Sequence, residues 1–164
     1  MRPDAEGAQA QPDLAHVRSF ETYIGYQQAS NFASPEGLNG GKPQQYTTKK
    51  LRLNEWGLSG NWTVGAEQAT LNQAGGAIIY RFSARDLHLV LGPGADGKPV
   101  RFQVTVDGKA PGESHGADIG ADGNGTVTET RLYQLVRQNR DIGERVFEIR
   151  FLAPGVAAFA FTFG

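Results

Sequence analysis

The chain has no cysteine at all. Disulfides, zinc–thiolate sites, thiol redox chemistry and cysteine nucleophiles are therefore excluded together. The absence leaves the compartment open, because an oxidising one tolerates cysteine-free domains. Histidine is scarce as well, with only His16, His88 and His115, which leaves little for a transition-metal site. An excess of charge of either sign is also missing: 16 basic against 17 acidic residues give a net charge of −1. The longest basic run is Lys49-Lys50 with Arg52 nearby, so there is no electrostatic footprint for nucleic acid or an anionic membrane. No apolar run approaches the ~20 residues of a membrane-spanning helix, and direct membrane insertion is not expected.

What the 164 residues do contain is glycine and alternation. There are 22 Gly, and from Ser19 onward short alternating runs are separated by glycine-rich turns. Extended segments are expected at Glu21–Tyr26, Gln45–Leu53, Gly60–Gly65, Ala77–Phe82, Asp86–Leu91, Val100–Val106, Arg131–Gln138, Arg145–Leu152 and Val156–Phe163. In VRFQVTV, Val100, Phe102, Val104 and Val106 face one way and Arg101, Gln103 and Thr105 the other. Arg131–Gln138 also carries Leu132, Leu135 and Val136 at helical spacing. It reads as a strand because Arg145–Leu152 looks like the return arm of a hairpin. Ala66–Gln73 has room for a helical turn. The pattern predicts an all-β, jelly-roll or galactose-binding-like β-sandwich of about eight to ten strands. It forms a single domain over 19–164, preceded by residues 1–18 as a flexible linker from an upstream domain. That opening segment, rich in Ala, Gln, Pro and acids, has no apolar h-region and is not a signal peptide.

The only two tryptophans lie in NEWGLSGNWT. Trp56, Leu58, Trp62 and Val64 share one face of an extended chain, which suits a half-buried strand. Trp62 reads as core; Trp56, at the turn before the strand, is balanced between core and ligand platform. Catalysis finds little support. Ser114 and His115 are adjacent, a spacing at which the side chains rarely meet, and no nucleophile elbow surrounds them. No carboxylate pair is placed across a cleft at glycosidase separation. GPGADG at 92–97 matches G-x-G-x-x-G formally, but Lys98-Pro99 and a strand follow where a helix N-terminus is needed. A hairpin loop accounts for it.

Two sites remain as expectations. In DIGADGNGTVTE, residues 118–129, Asp118, Asp122 and Glu129 fall at positions 1, 5 and 12 of an EF-hand-like loop. A weak Ca2+ site could be built on them, although Gly120 offers no side-chain oxygen and no helix flanks the segment. An Asp/Gly turn explains the same residues without metal. The second site is a face on which Arg81, Arg85, His88, Arg101 and Gln103 hydrogen-bond a polyol while Tyr133 or Trp56 stacks on it. A solvated outer sheet surface is the plainer account of the same residues.

Taken together, ETYIGYQQASNF, the block from Leu51 to Pro93, RLYQLVRQ and the ending FEIRFLAPGVAAFAFTFG resemble the C-terminal domain of DipZ-type cytochrome c biogenesis proteins and related periplasmic thioredoxin-like proteins. The resemblance covers about residues 20–164. It implies a β-jelly-roll similar to carbohydrate-binding modules, serving as an extracytoplasmic bacterial accessory module beside a thioredoxin-like domain. The Cys-x-x-Cys pair belongs to that other domain, so no disulfide chemistry carries over. Two functions stay open: a non-catalytic module binding a glycan or other envelope ligand, and a protein-interaction or structural domain that packs on the thioredoxin-like domain or recruits its substrates.

Overall fold

The computed structural model describes residues 10–164. They form eleven strands: β1 (Thr22–Tyr23), β2 (Pro43–Tyr46), β3 (Trp56–Val64), β4 (Ala69–Leu71), β5 (Ala77–Ser83), β6 (Asp86–Gly92), β7 (Val100–Val106), β8 (Asn124–Val127), β9 (Arg131–Arg137), β10 (Glu144–Phe151) and β11 (Ala157–Phe163). A single 3-10 turn covers Gly112–Ser114. Among the described residues no helix is long and apolar enough to cross a membrane. All strand pairs are antiparallel, in the order β8-β7-β10-β5-β3-β4-β11-β6-β9, with β1 added to β11 and β2 to β3. The result is a jelly-roll β-sandwich, as the alternation predicts.

Strand β3 belongs to both layers. Its first half, Trp56 to Ser59, pairs with β5, and its second half, Gly60 to Val64, pairs with β2 and β4. The change of layer falls at Gly60, whose φ is +96°. A Cβ there would also lie 2.9 Å from the Cα of Gly76. Only glycine adopts this backbone without strain and admits the neighbouring chain so closely. Because the strand bends around the core, its inward parity survives the corner: Trp56, Leu58, Trp62 and Val64 are all fully buried. The free edge of its first half is covered by the 31–34 loop. There the Ala33 N–H donates to the Trp56 carbonyl, and the Ser34 hydroxyl both donates to the Leu58 carbonyl and accepts from its N–H. An edge covered in this way is not available for pairing with another chain.

Several local expectations are corrected. Ala66–Gln73 holds the short strand β4 in place of a helical turn. Gln45–Leu53 is extended only at its start, where β2 ends at Tyr46. Strands β9 and β10 do not form a hairpin: β9 pairs with β6, whereas β10 lies between β5 and β7 in the other layer. Gln138 braces that passage, donating to the Ala84 and Gly143 carbonyls and accepting from the Gly143 N–H. The chain likewise changes layer between β5 and β6, and the 92–99 loop links strands of opposite layers instead of forming a hairpin. Residues 10–18, expected as linker, lie against the domain. The Arg85 guanidinium donates to the Gln11 carbonyl and the Arg18 N–H to the Ser83 carbonyl. Residues 1–9 of that expected linker lie outside the described residues.

Gly60→Ala places a side chain at positive φ, which costs about 1–2 kcal/mol, and adds the contact with Gly76. Gly75→Ala supplies a control, since Gly75 has φ +91° with open space around its Cβ position. Urea unfolding is expected to show Gly60→Ala as the more destabilising of the two. Equal losses would remove the close approach from the account.

Candidate functional site

The residues expected to share one face are divided between the two layers. Arg81 on β5 and Arg101 and Gln103 on β7 point outward from one sheet, separated by β10. The Arg81 Nε donates to Glu144 at 3.1 Å, and Arg101 and Gln103 are exposed. His88 and Tyr133 belong to the other sheet. The single groove that was to unite them therefore does not form.

Neither expected ring is a platform. Trp56 is fully buried, its indole N–H donating to the Ser30 carbonyl at 2.9 Å and its ring meeting Phe32 edge-on. Tyr133 is also fully buried. Its hydroxyl donates to the Glu129 carbonyl and accepts from the Thr128 and Glu129 N–H groups. The Arg131 guanidinium covers its ring at 3.9 Å from the centroid. Both aromatics hold loops to the sandwich.

The three acids of the expected calcium loop are also apart in role, because β8 runs through the loop. Asp118 accepts from the Arg131 guanidinium and the Gln134 N–H. Asp122 accepts from the Asn124 backbone and side-chain amides, which hold its carboxyl below the usual range. Glu129 is exposed and faces Arg131. Among the described residues no three His, Cys, Asp or Glu side chains are grouped to hold a metal ion.

Of the expected residues, Arg85 lines a cleft of about 440 Å³, shared with Asp13, Glu113, His115, Arg137 and Asn139. Two of its nitrogens are already engaged: Nε and Nη2 grip the buried Asp86 at 3.0 and 2.8 Å, and Nη2 also meets the Gln11 carbonyl. This cleft is largely satisfied by its own residues. Beneath it His88 is 2 % exposed, flanked by Thr162, with the charges of Asp86, Asp118, Arg85 and Arg137 around it. Burial pushes its pKa down, and the two acids offset that only in part.

A second cleft, of about 510 Å³, is built differently. In β1 the side chains alternate: Thr22 points inward, its hydroxyl 2.6 Å from that of Tyr80, while Tyr23 points outward. Strand β1 pairs with β11 at Phe161 and Ala160. Between Ala158 and Ala160 the register of β11 shifts by one residue. The extra residue of that bulge is Phe159, whose carbonyl accepts from the Ile24 N–H and which lines the cleft with Ala160. Bulges re-aim side chains in this way. The chain then runs alongside the 65–67 turn, Tyr26 and Gln27 donating to the Gly65 and Ala66 carbonyls. A Cβ on Gly25 would sit 2.3 Å from the Ala66 carbonyl oxygen, so glycine permits this approach. Gln27, Gln28 and Glu67 complete the lining. Among the described residues these three side chains make no hydrogen bond or ion pair. Tyr23 is 37 % exposed, and its hydroxyl donates to Glu21 at 2.7 Å. That carboxylate holds the phenol above its ordinary pKa.

The volume falls within the usual range for small-molecule sites, roughly 300–1,000 Å³. An aromatic ring, two free amides and a free carboxylate converge on it, and no Lys or Arg lines it. None of these residues was singled out in the sequence. The available signal was the alternation of Thr22, Tyr23 and Ile24, which directs Tyr23 outward.

Fold and cleft thus define a jelly-roll β-sandwich with an open, ligand-sized cleft on its outer surface. The chain belongs to the thioredoxin-like C-terminal domain family, whose model matches residues 19–164. It is accordingly an accessory domain of thioredoxin-like proteins, in agreement with the resemblance read from its sequence. No curated protein matches the chain at a significant level.

Because the folded state lowers the His88 pKa, the unfolded chain takes up that proton first as pH falls. Stability is then lost from about pH 6.5 downward, until the folded protein also protonates. Thermal melts across that range are expected to fall less steeply for His88→Gln than for the unchanged protein. Parallel curves would show that His88 is not the group responsible.

Proposed function

We propose that the chain is a non-catalytic accessory module of an extracytoplasmic bacterial thioredoxin-like protein, and that it holds an envelope carbohydrate in the Tyr23 cleft. The observation that carries this reading is the exposed Tyr23 ring beside the unpartnered Gln27, Gln28 and Glu67. Sugars present an apolar face and a rim of hydroxyls, which such a ring and such polar groups match. The non-catalytic part is supported by the neighbouring Ser114 and His115. The Ser114 hydroxyl accepts from the Asn139 N–H and His115 Nδ1 donates to the Gly116 carbonyl, so among the described residues their hydrogen bonds run to other groups and not to each other. Few ligand atoms are desolvated, so affinity for a small sugar falls on the order of millimolar to tens of micromolar.

A second reading, docking of the thioredoxin-like domain or its protein substrates, draws on Phe20 and Tyr26. They are 71 % and 49 % exposed on the segment that carries Tyr23.

Calorimetric titration with neutral envelope-type oligosaccharides separates the two. Tyr23→Ala is expected to weaken binding by about tenfold or more, with little change in melting temperature because the ring is exposed. Binding that survives Tyr23→Ala unchanged would remove the cleft from this role. Absence of binding by every sugar, together with binding of the thioredoxin-like domain, would favour docking.

A further inference from the structure

Which carbohydrate the cleft takes follows from its charges, on the reading that the cleft is a carbohydrate site. The lining offers one formal charge, the Glu67 carboxylate, and no cation. A second carboxylate, Glu21, stands at the rim, hydrogen-bonded to the Tyr23 hydroxyl at 2.7 Å. The hydrogen bond to Glu21, and after it the carboxylate's charge, holds the Tyr23 phenol above its ordinary pKa. Several acids elsewhere are countered by arginines, whereas others, such as Glu36 and Asp122, are held by neutral donors. Arg85 holds Asp86, Arg131 holds Asp118, and Arg81 faces Glu144. Glu67 has no such partner among the described residues.

An acidic glycan entering here would meet two carboxylates and no counter-charge, at separations where like charges repel even in water. A neutral sugar would find Gln27 and Gln28 as donors and acceptors and the ring as a stacking surface, but would leave Glu67 without a charge partner. An ammonium group completes the set. It donates a charge-assisted hydrogen bond to a carboxylate and is attracted to the face of a tyrosine ring. A carboxylate, an aromatic face and no competing cation form a combination that recognises ammonium.

We infer that the Tyr23 cleft selects amino sugars with a free, protonated amine over their N-acetylated counterparts, and excludes acidic sugars. Glu67 supplies the carboxylate, Tyr23 the ring, and Gln27 and Gln28 the contacts to hydroxyls.

The test is a titration of the domain, followed by amide NMR, with three oligosaccharides of equal length: a glucosamine oligomer, its N-acetylated counterpart and an oligogalacturonate. At about pH 6 the amines are protonated, since that lies well below the usual range of an aliphatic amine. The glucosamine oligomer is expected to bind about tenfold more tightly than the N-acetylated one, and the oligogalacturonate not at all. In Glu67→Gln the preference is expected to collapse to within about threefold; such an ion pair also weakens with added salt. Equal affinity of the free and acetylated oligomers, or a preference that survives Glu67→Gln, would overturn the selectivity while leaving the carbohydrate reading intact. Binding of oligogalacturonate in the cleft would also overturn it. If none of the three shifts amides near Tyr23 and Glu67, the carbohydrate reading falls and the selectivity with it. Glu67 is an exposed turn residue, so the unchanged amide spectrum of Glu67→Gln away from the cleft serves as its folding control.

Discussion

Everything in this domain turns on one strand that serves two sheets. Strand β3 gives its first half to the layer of β5, β10, β7 and β8. Its second half goes to the layer of β4, β11, β6 and β9. The joint is Gly60, and a tryptophan stands on either side of it. Each tryptophan buries about 150–250 Å², and each anchors its indole N–H on a nearby carbonyl, Ser30 for Trp56 and Ser59 for Trp62. The corner thus carries two large apolar side chains into one core without leaving a polar atom unpaired. Among the described residues no buried side-chain nitrogen or oxygen lacks a partner.

That corner determines what the outer surfaces present. Strands close in sequence, β5 and β6 or β9 and β10, are sent to opposite layers, so Arg81 and His88 never meet. The polar face anticipated around them dissolves into two outer sheet surfaces, with His88 buried beneath the smaller cleft. The layer holding β11 gains an extra strand, β1, and a bulge at Phe159. The ligand-sized cleft lies where β1, the bulge and the 65–67 turn come together. It is therefore a product of how the sheet edge is finished, by short segments drawn from three distant parts of the chain.

Much of the fold was legible because alternation records which side of a strand faces inward. Val100, Phe102 and Val104, and the series Trp56, Leu58, Trp62 and Val64, are buried as their spacing predicts. Alternation carries no information about which strand lies beside which. A short polar break between two runs reads the same whether it closes a hairpin or arches between layers, so the β9–β10 hairpin was wrongly read. The cleft was illegible for related reasons. A two-residue strand leaves almost no periodic signal, a one-residue bulge leaves none, and Gln27, Gln28 and Glu67 look like ordinary turn residues. The acids at 118, 122 and 129 misled in the opposite direction, because spacing alone suggested a cation site, whereas Asp118 and Glu129 face the Arg131 guanidinium and Asp122 turns to Asn124.

Membership of the thioredoxin-like C-terminal domain family makes the chain an accessory domain, and the outward cleft is what supports our proposal that it contributes recognition. The central claim is where recognition takes place. An assigned amide-shift map of the domain with a saturating neutral oligosaccharide tests it most directly. The account predicts shifts clustered at residues 23–28, 65–67 and 159–160, with the Arg81–Arg101 surface and the Arg85 cleft unmoved. Shifts centred on Arg81, Arg101 and Gln103, or in the Arg85 cleft, would contradict it.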